Sequence, residues 1–170
     1  MIRTLAIGIL STVILPALLA CEKLPDPVVP DPPQEEKNNG NDNSGGTDTT
    51  MPETIKITVS GKTLPVKIED NEATKALVAA LHEASITYEA HDYGGFEKVG
   101  PLGRTLPTID TQITTQAGDV VLYSSNQIVL FYGSNTWSYT RLGKMQFESL
   151  DELKSFLKAG EGNISVTLSL

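Results

Sequence analysis

The residues best placed to do chemistry in this 170-residue chain lie in FYGSNTWSYTR, residues 131–141. Trp137, Tyr139 and Arg141 recur at every second position, so a strand sets two amphipathic rings and a guanidinium on one face. Tyr132 and Phe96, the latter from DYGGFEKVG, are the neighbours expected beside them. Such a face suits recognition of a peptide or a small ligand. The same residue types also serve as hairpin packing, with the arginine stacked outside. Metal chemistry is not expected, since His82 and His91 do not form an i, i+4 pair and no thiolate is available to join them. No phosphate loop, dinucleotide fingerprint or nucleophile elbow occurs, so no cofactor is expected and no catalytic residue is assigned.

Elements that must carry this face read clearly from hydrophobic period. TIKITVS and TLPVKI (from Thr54 to Ile68) each alternate around Ser60-Gly61-Lys62 and predict a hairpin, with Pro65 marking an edge or a bulge. DNEATKALVAALHEA predicts a helix capped by Asp70 or Asn71, with Ala73, Leu77, Ala80, Leu81 and Ala84 on its apolar face. ITYEAHD and FEKVG predict two strands, and residues 101–111 a loop. DVVLYSSNQIVLFYG predicts a hairpin turning at Ser124-Ser125-Asn126, and WSYTRLG another arm. Ser149 and Glu152 form a capping box for a second helix that Gly160 is expected to stop. NISVTLSL alternates strictly and predicts a strand that closes the sheet. Eight strands joined mostly by tight turns, with two helices, favour a mainly β fold: a closed antiparallel barrel with a helix over each end.

The N-terminal third has a different character. Residues 1–20 carry one basic residue and an apolar run from Leu5 to Leu19, too short and too interrupted by Pro16 for a spanning helix. Leu18-Leu19-Ala20-Cys21 is similar to a bacterial lipoprotein signal. That resemblance implies cleavage before Cys21, lipidation of its thiol and attachment to a membrane through the acyl chains. It also accounts for the only cysteine of the chain. Residues 21–53 then form a linker, proline-dense from Pro25 and Gly/Asn/Ser-rich from Asn38, which reads as an unfolded stalk. Glu22 is not the aspartate associated with inner-membrane retention, so the outer membrane of a bacterial cell envelope is the expected location. The net charge of −8 sits mostly in that linker, which holds eight acids and two bases; residues 54–170 hold thirteen acids and ten bases. No basic stripe exists to bind nucleic acid, and none is expected as a partner.

The stretches DYGGFEKVGPLGRTLPT, DTQITTQAGDVVLYSSNQIVLFYGSNTWSYTRLGKM and LKSFLKAGEGNISVTLSL resemble the bacterial cyclophilin-like domain family. The resemblance spans residues 54–170 and implies a minimal cyclophilin-type barrel. Gln116-Ala117-Gly118-Asp119 is similar to the Gln-Gly-Gly-Asp run of true cyclophilins. Upstream the likeness fails: Ile113 stands where that family has phenylalanine and Thr108 where it has the catalytic arginine. The resemblance therefore implies a fold without an assigned catalytic residue. A lipid-anchored module that binds a peptide or small ligand is the first expectation. A peptidyl-prolyl isomerase with a non-standard site, using Arg104 or Arg141, is the alternative, and an accessory domain that docks another protein is the third.

Overall fold

The computed structural model describes residues 51–170. The expected signal peptide (1–20), Cys21 and the linker up to residue 50 lie outside the described residues. In chain order the elements are β1 (Thr54–Val59), β2 (Lys62–Ile68), α1 (Glu72–Glu83), β3 (Ile86–Tyr93), β4 (Glu97–Pro101), β5 (Thr111–Thr114), β6 (Asp119–Tyr123), β7 (Gln127–Phe131), β8 (Thr136–Met145), α2 (Leu150–Phe156) and β9 (Ile164–Ser169).

Local chemistry explains the ends of these elements. Asn71 caps α1: its Oδ1 accepts from the Thr74 backbone N–H at 3.0 Å and from the Thr74 hydroxyl. Ser149 caps α2, accepting from the Glu152 N–H at 3.2 Å, while the Glu152 carboxylate reaches back to the Glu148 N–H. The helix ends before the expected Gly160. Lys158 takes φ 48°, and the Ala159 N–H reaches the Lys154 carbonyl at 2.9 Å, so the chain turns two residues earlier around a lysine.

The sheet runs β2-β1-β9-β3-β4-β7-β6-β8, and β8 pairs back onto β2 through Val66–Met145, Lys67–Lys144 and Ile68–Gly143. Those eight antiparallel strands make a closed barrel. A ninth strand, β5, pairs along Thr136–Tyr139 of β8, in a segment expected to lie partly in a loop. β9 sits between β1 and β3, and β2 with β8 forms the closing seam. The arm that carries Pro65 is therefore paired on both sides, but Pro65 stands just beyond the ladder to β8. Only its carbonyl is used there, accepting from the Gln146 N–H at 2.8 Å.

Two apolar clusters lie on opposite sides of this wall. The inner one gathers Ile57, Val59, Tyr88, Leu122, Leu130, Leu142 and Val166 with Leu77 and Leu81 of α1 and Leu153 and Phe156 of α2. A closed wall leaves only its ends open, so helices that share its inner core must cover them. The second cluster is Val121, Val129, Phe131 and Tyr139, with Phe96, Val99 and Ile113 packed against it. By strand alternation these side chains point outward. The wall from β4 to β8 is thus apolar on both faces.

Candidate functional site

The outer face is built in rows by strand register. Tyr93 of β3 pairs with Glu97 of β4, which pairs with Phe131 of β7. The next row is His91, Val99, Val129 and Val121. Beyond it Tyr123 of β6 pairs with Gln127, and its ring meets Tyr139 of β8 edge-on at 5.9 Å. These rows floor an open cleft of about 450 Å³. Val99, Val129, Glu97 and Tyr139 line its bottom; Tyr93, His91, Tyr123 and Trp137 stand around it, with Gln127 and Asn135.

Of the five large apolar side chains exposed among the described residues, three border this cleft: Tyr93, Trp137 and Tyr123. Their clustering is what a recognition surface needs and a packed wall does not. At the bottom, Glu97 is only 5 % exposed, and its Oε2 has no hydrogen-bond partner. Burial between aromatic and valine side chains pushes this carboxyl up to about 7. Burial also raises the Tyr139 hydroxyl, against the opposing effect of its hydrogen bond with Asn135. An unpaired carboxyl is costly to bury, so its presence under an open aromatic cleft is the chemical feature of the site.

The wall beside Trp137 is held by a dense set of hydrogen bonds. Thr115 Oγ1 accepts from the Asn135 N–H at 2.9 Å and donates to its carbonyl at 3.0 Å. Ser134 Oγ donates to the Thr115 carbonyl at 2.6 Å, and Asn135 Nδ2 donates to Tyr139 Oη at 3.0 Å. The turn after Tyr93 is set by Gly94 and Gly95, at φ 60° and 76°. It folds Phe96 over Phe131, with the two rings parallel at 6.3 Å.

The three residues expected on one face and their two expected neighbours separate as follows. Trp137 and Tyr139 line the cleft together. Arg141 shares their strand but turns to Asp119, donating from Nη1 to Oδ2 at 2.8 Å. A bulge at Leu142 of β8, which has no partner between Val120 and Val121, leaves Arg141 opposite Val121, two residues from that buried carboxylate. Tyr132 follows Phe131 and so faces the other way: it is buried in the inner cluster and donates to Asp92 Oδ1 at 2.9 Å. Phe96 lies against Phe131, outside the cleft lining. Arg104, the other isomerase candidate, sits 4.0 Å from Glu83. The Gln116-Ala117-Gly118-Asp119 run is a turn into β6, with the Asp119 N–H donating to the Gln116 carbonyl at 3.0 Å.

Sequence reasoning did not single out Glu97, Tyr93 or Tyr123. One signal pointed their way. DVVLY and QIVLF are apolar at consecutive positions, which in an antiparallel sheet means that both faces are apolar. A search of curated proteins finds no match to the sequence. The profile of the cyclophilin-like family matches residues 57–169, which reaches every strand of the closed wall. With that match and the barrel in agreement, the chain belongs to the cyclophilin-like family.

Proposed function

We propose that the chain is a lipid-anchored binding module whose outer-face cleft takes a small ligand or a short peptide segment. The observation that carries this reading is the convergence of three exposed aromatic side chains on a cleft with a buried, unpartnered carboxyl at its bottom. A volume of about 450 Å³ suits a small molecule. The concave shape favours a ligand over flat docking of a partner domain. Prolyl isomerisation would call for a cationic donor aimed at the prolyl nitrogen, and both candidate arginines are directed at carboxylates instead. Anchoring through Cys21, in the outer membrane of a bacterial envelope, is supported by the Leu-Leu-Ala-Cys pattern alone. An acyl mass increment on Cys21 in membrane-extracted protein is expected, and an unmodified thiol would refute the anchor.

The binding reading is tested by titrating the isotope-labelled chain with an Ala-Pro peptide and recording exchange spectra of the peptide. Shifts at Tyr93, Tyr123, Trp137 and Tyr139 without faster cis–trans exchange are expected. Faster exchange would promote the isomerase reading. No shift with this peptide or with the small probes used below would remove the cleft as a binding site.

A further inference from the structure

The reading of the cleft as a binding site leaves open what it binds, and Glu97 answers that by its surroundings. Its Oε2 is buried without a hydrogen-bond partner, although the residue borders a cleft open to solvent. A carboxylate in that position lacks a donor, and because Glu97 lines the cleft, the cleft is a direction from which a donor can come. Around that direction stand the rings of Tyr93, Tyr123, Trp137 and Tyr139. Tyr123 and Tyr139 meet at 68°, as two walls of a corner rather than a stack. Electron-rich ring faces attract a cation, and most strongly where water is thin. Two cations on the strands of this wall are committed elsewhere: Lys98 points to the barrel interior and pairs with Asp92 at 2.8 Å, and Arg141 pairs with Asp119.

We propose that the cleft recognises an alkylammonium group, which docks its charged nitrogen on the Glu97 carboxylate among the aromatic rings. This deepens the binding reading above and rests on it. The group can belong to a free small amine or to a lysine side chain of a peptide, and the two sources share the same chemistry. A neutral molecule of equal shape leaves Glu97 without its donor and binds less well. Recognition is also pH-linked. Because burial holds the Glu97 carboxyl near 7, the ionised form that a cation needs is lost as pH falls below that value. The other titratable groups around it are His91 and Tyr93 of β3, Tyr123 of β6 and Tyr139 of β8, with Tyr132, Asp92 and Lys98 behind the wall. His91 also lines the cleft, and a positive charge on its ring would oppose a cation there.

Trp137 is the only tryptophan of the chain and borders the cleft, so its fluorescence reports occupancy without a label. The full chain is titrated with phenethylammonium and with a blocked Gly-Lys-Gly peptide, beside their neutral counterparts, 2-phenylethanol and the same peptide acetylated on lysine. A preference of about tenfold or more for either charged probe over its neutral counterpart at pH 8 is expected; which charged probe binds tighter identifies the source. Glu97→Gln should erase the preference. In the unaltered protein, affinity for the amine should fall by about tenfold per pH unit below 7. That dependence should persist in His91→Asn and vanish in Glu97→Gln. If Glu97→Gln does not fold, the pH series on the unaltered and His91→Asn proteins decides. Equal or tighter binding of the neutral probes overturns the cation proposal while leaving the cleft a binding site. A pH dependence lost in His91→Asn overturns the assignment to Glu97. Silence with all four probes overturns the proposal, and the peptide titration then judges the cleft by itself.

Discussion

Two carboxyls on neighbouring strands show how far side-chain direction governs chemistry. Asp92 faces inward and Glu97 outward. Burial alone would raise Asp92, but the Lys98 ammonium at 2.8 Å, the N–H groups of Gly160 and Gly162 and the Tyr132 hydroxyl outweigh it and hold the carboxyl near 2. Glu97 has burial without those donors and stays near 7. The consequences for stability have opposite signs. A depressed acid stabilises the fold above its unfolded value near 4, and that contribution disappears as pH falls towards 2. A raised acid binds its proton in the folded state while the unfolded chain has lost it, so stability falls as pH rises from about 4.5 to 7. Asp92→Asn should therefore flatten the acid side of a plot of melting temperature against pH. Glu97→Gln should raise the melting temperature at pH 8 and change it little at pH 4, as expected of a residue kept at a stability cost for binding. A uniform shift across pH for either variant would contradict this division. None of it was visible in the letters FEKVG, which predict a strand but do not say that either charge is buried. Both are buried, through opposite faces of one strand.

At the scale of elements, what was legible followed the hydrophobic period and what was missed lacked one. The hairpins, both helices and their caps follow from alternation, helical spacing and Asn, Ser and Glu at the right offsets. β5 escaped because TQIT has one apolar residue and is held by its ladder to β8 instead of by burial. The separation of Arg141 from Trp137 and Tyr139 depends on the Asp119 carboxylate of the neighbouring strand, which spacing within β8 cannot reveal. Asn71 shows a cap doing a second task. Its Oδ1 caps α1, while its Nδ2 donates to the Arg141 carbonyl at 2.8 Å and ties the helix to β8. Asn71→Ala should cost about 1–2 kcal/mol in urea unfolding, the upper part of the range for a lost cap. Asn71→Asp keeps the capping oxygen and loses the tie, so it should fall between the two. Equal losses in both variants would show that the tie to β8, not the cap, carries the energy.

The whole molecule depends on closure. Eight strands share one wall, and that wall divides the inner core from the outer cluster that floors the cleft. Leu122 and Leu130 face inward, and Val121 and Val129 outward, from the same two strands. Neither cluster can come apart without moving the backbone of the other. Closure itself rests on a short seam, three residue pairs between β2 and β8. There Gly143 lets the strands approach closely: a Cβ on it would lie 2.4 Å from the Lys67 carbonyl oxygen and 3.0 Å from Ile68 Cα. Both are backbone atoms, so the seam has to part to admit a side chain. Gly143→Val should destabilise the barrel by about 1–3 kcal/mol or more, the range for forcing volume into a packed site. Trp137 emission reads the outer face far from the seam, and far-UV circular dichroism reads the wall. If closure makes them one cooperative unit, their urea midpoints coincide in the parent chain and fall together in Gly143→Val. A variant whose Trp137 transition stays in place while the wall signal moves would mean that the cleft has a stability of its own. The outer cluster would then be a separate unit attached to the barrel, and the site could not be treated as fixed by the fold beneath it.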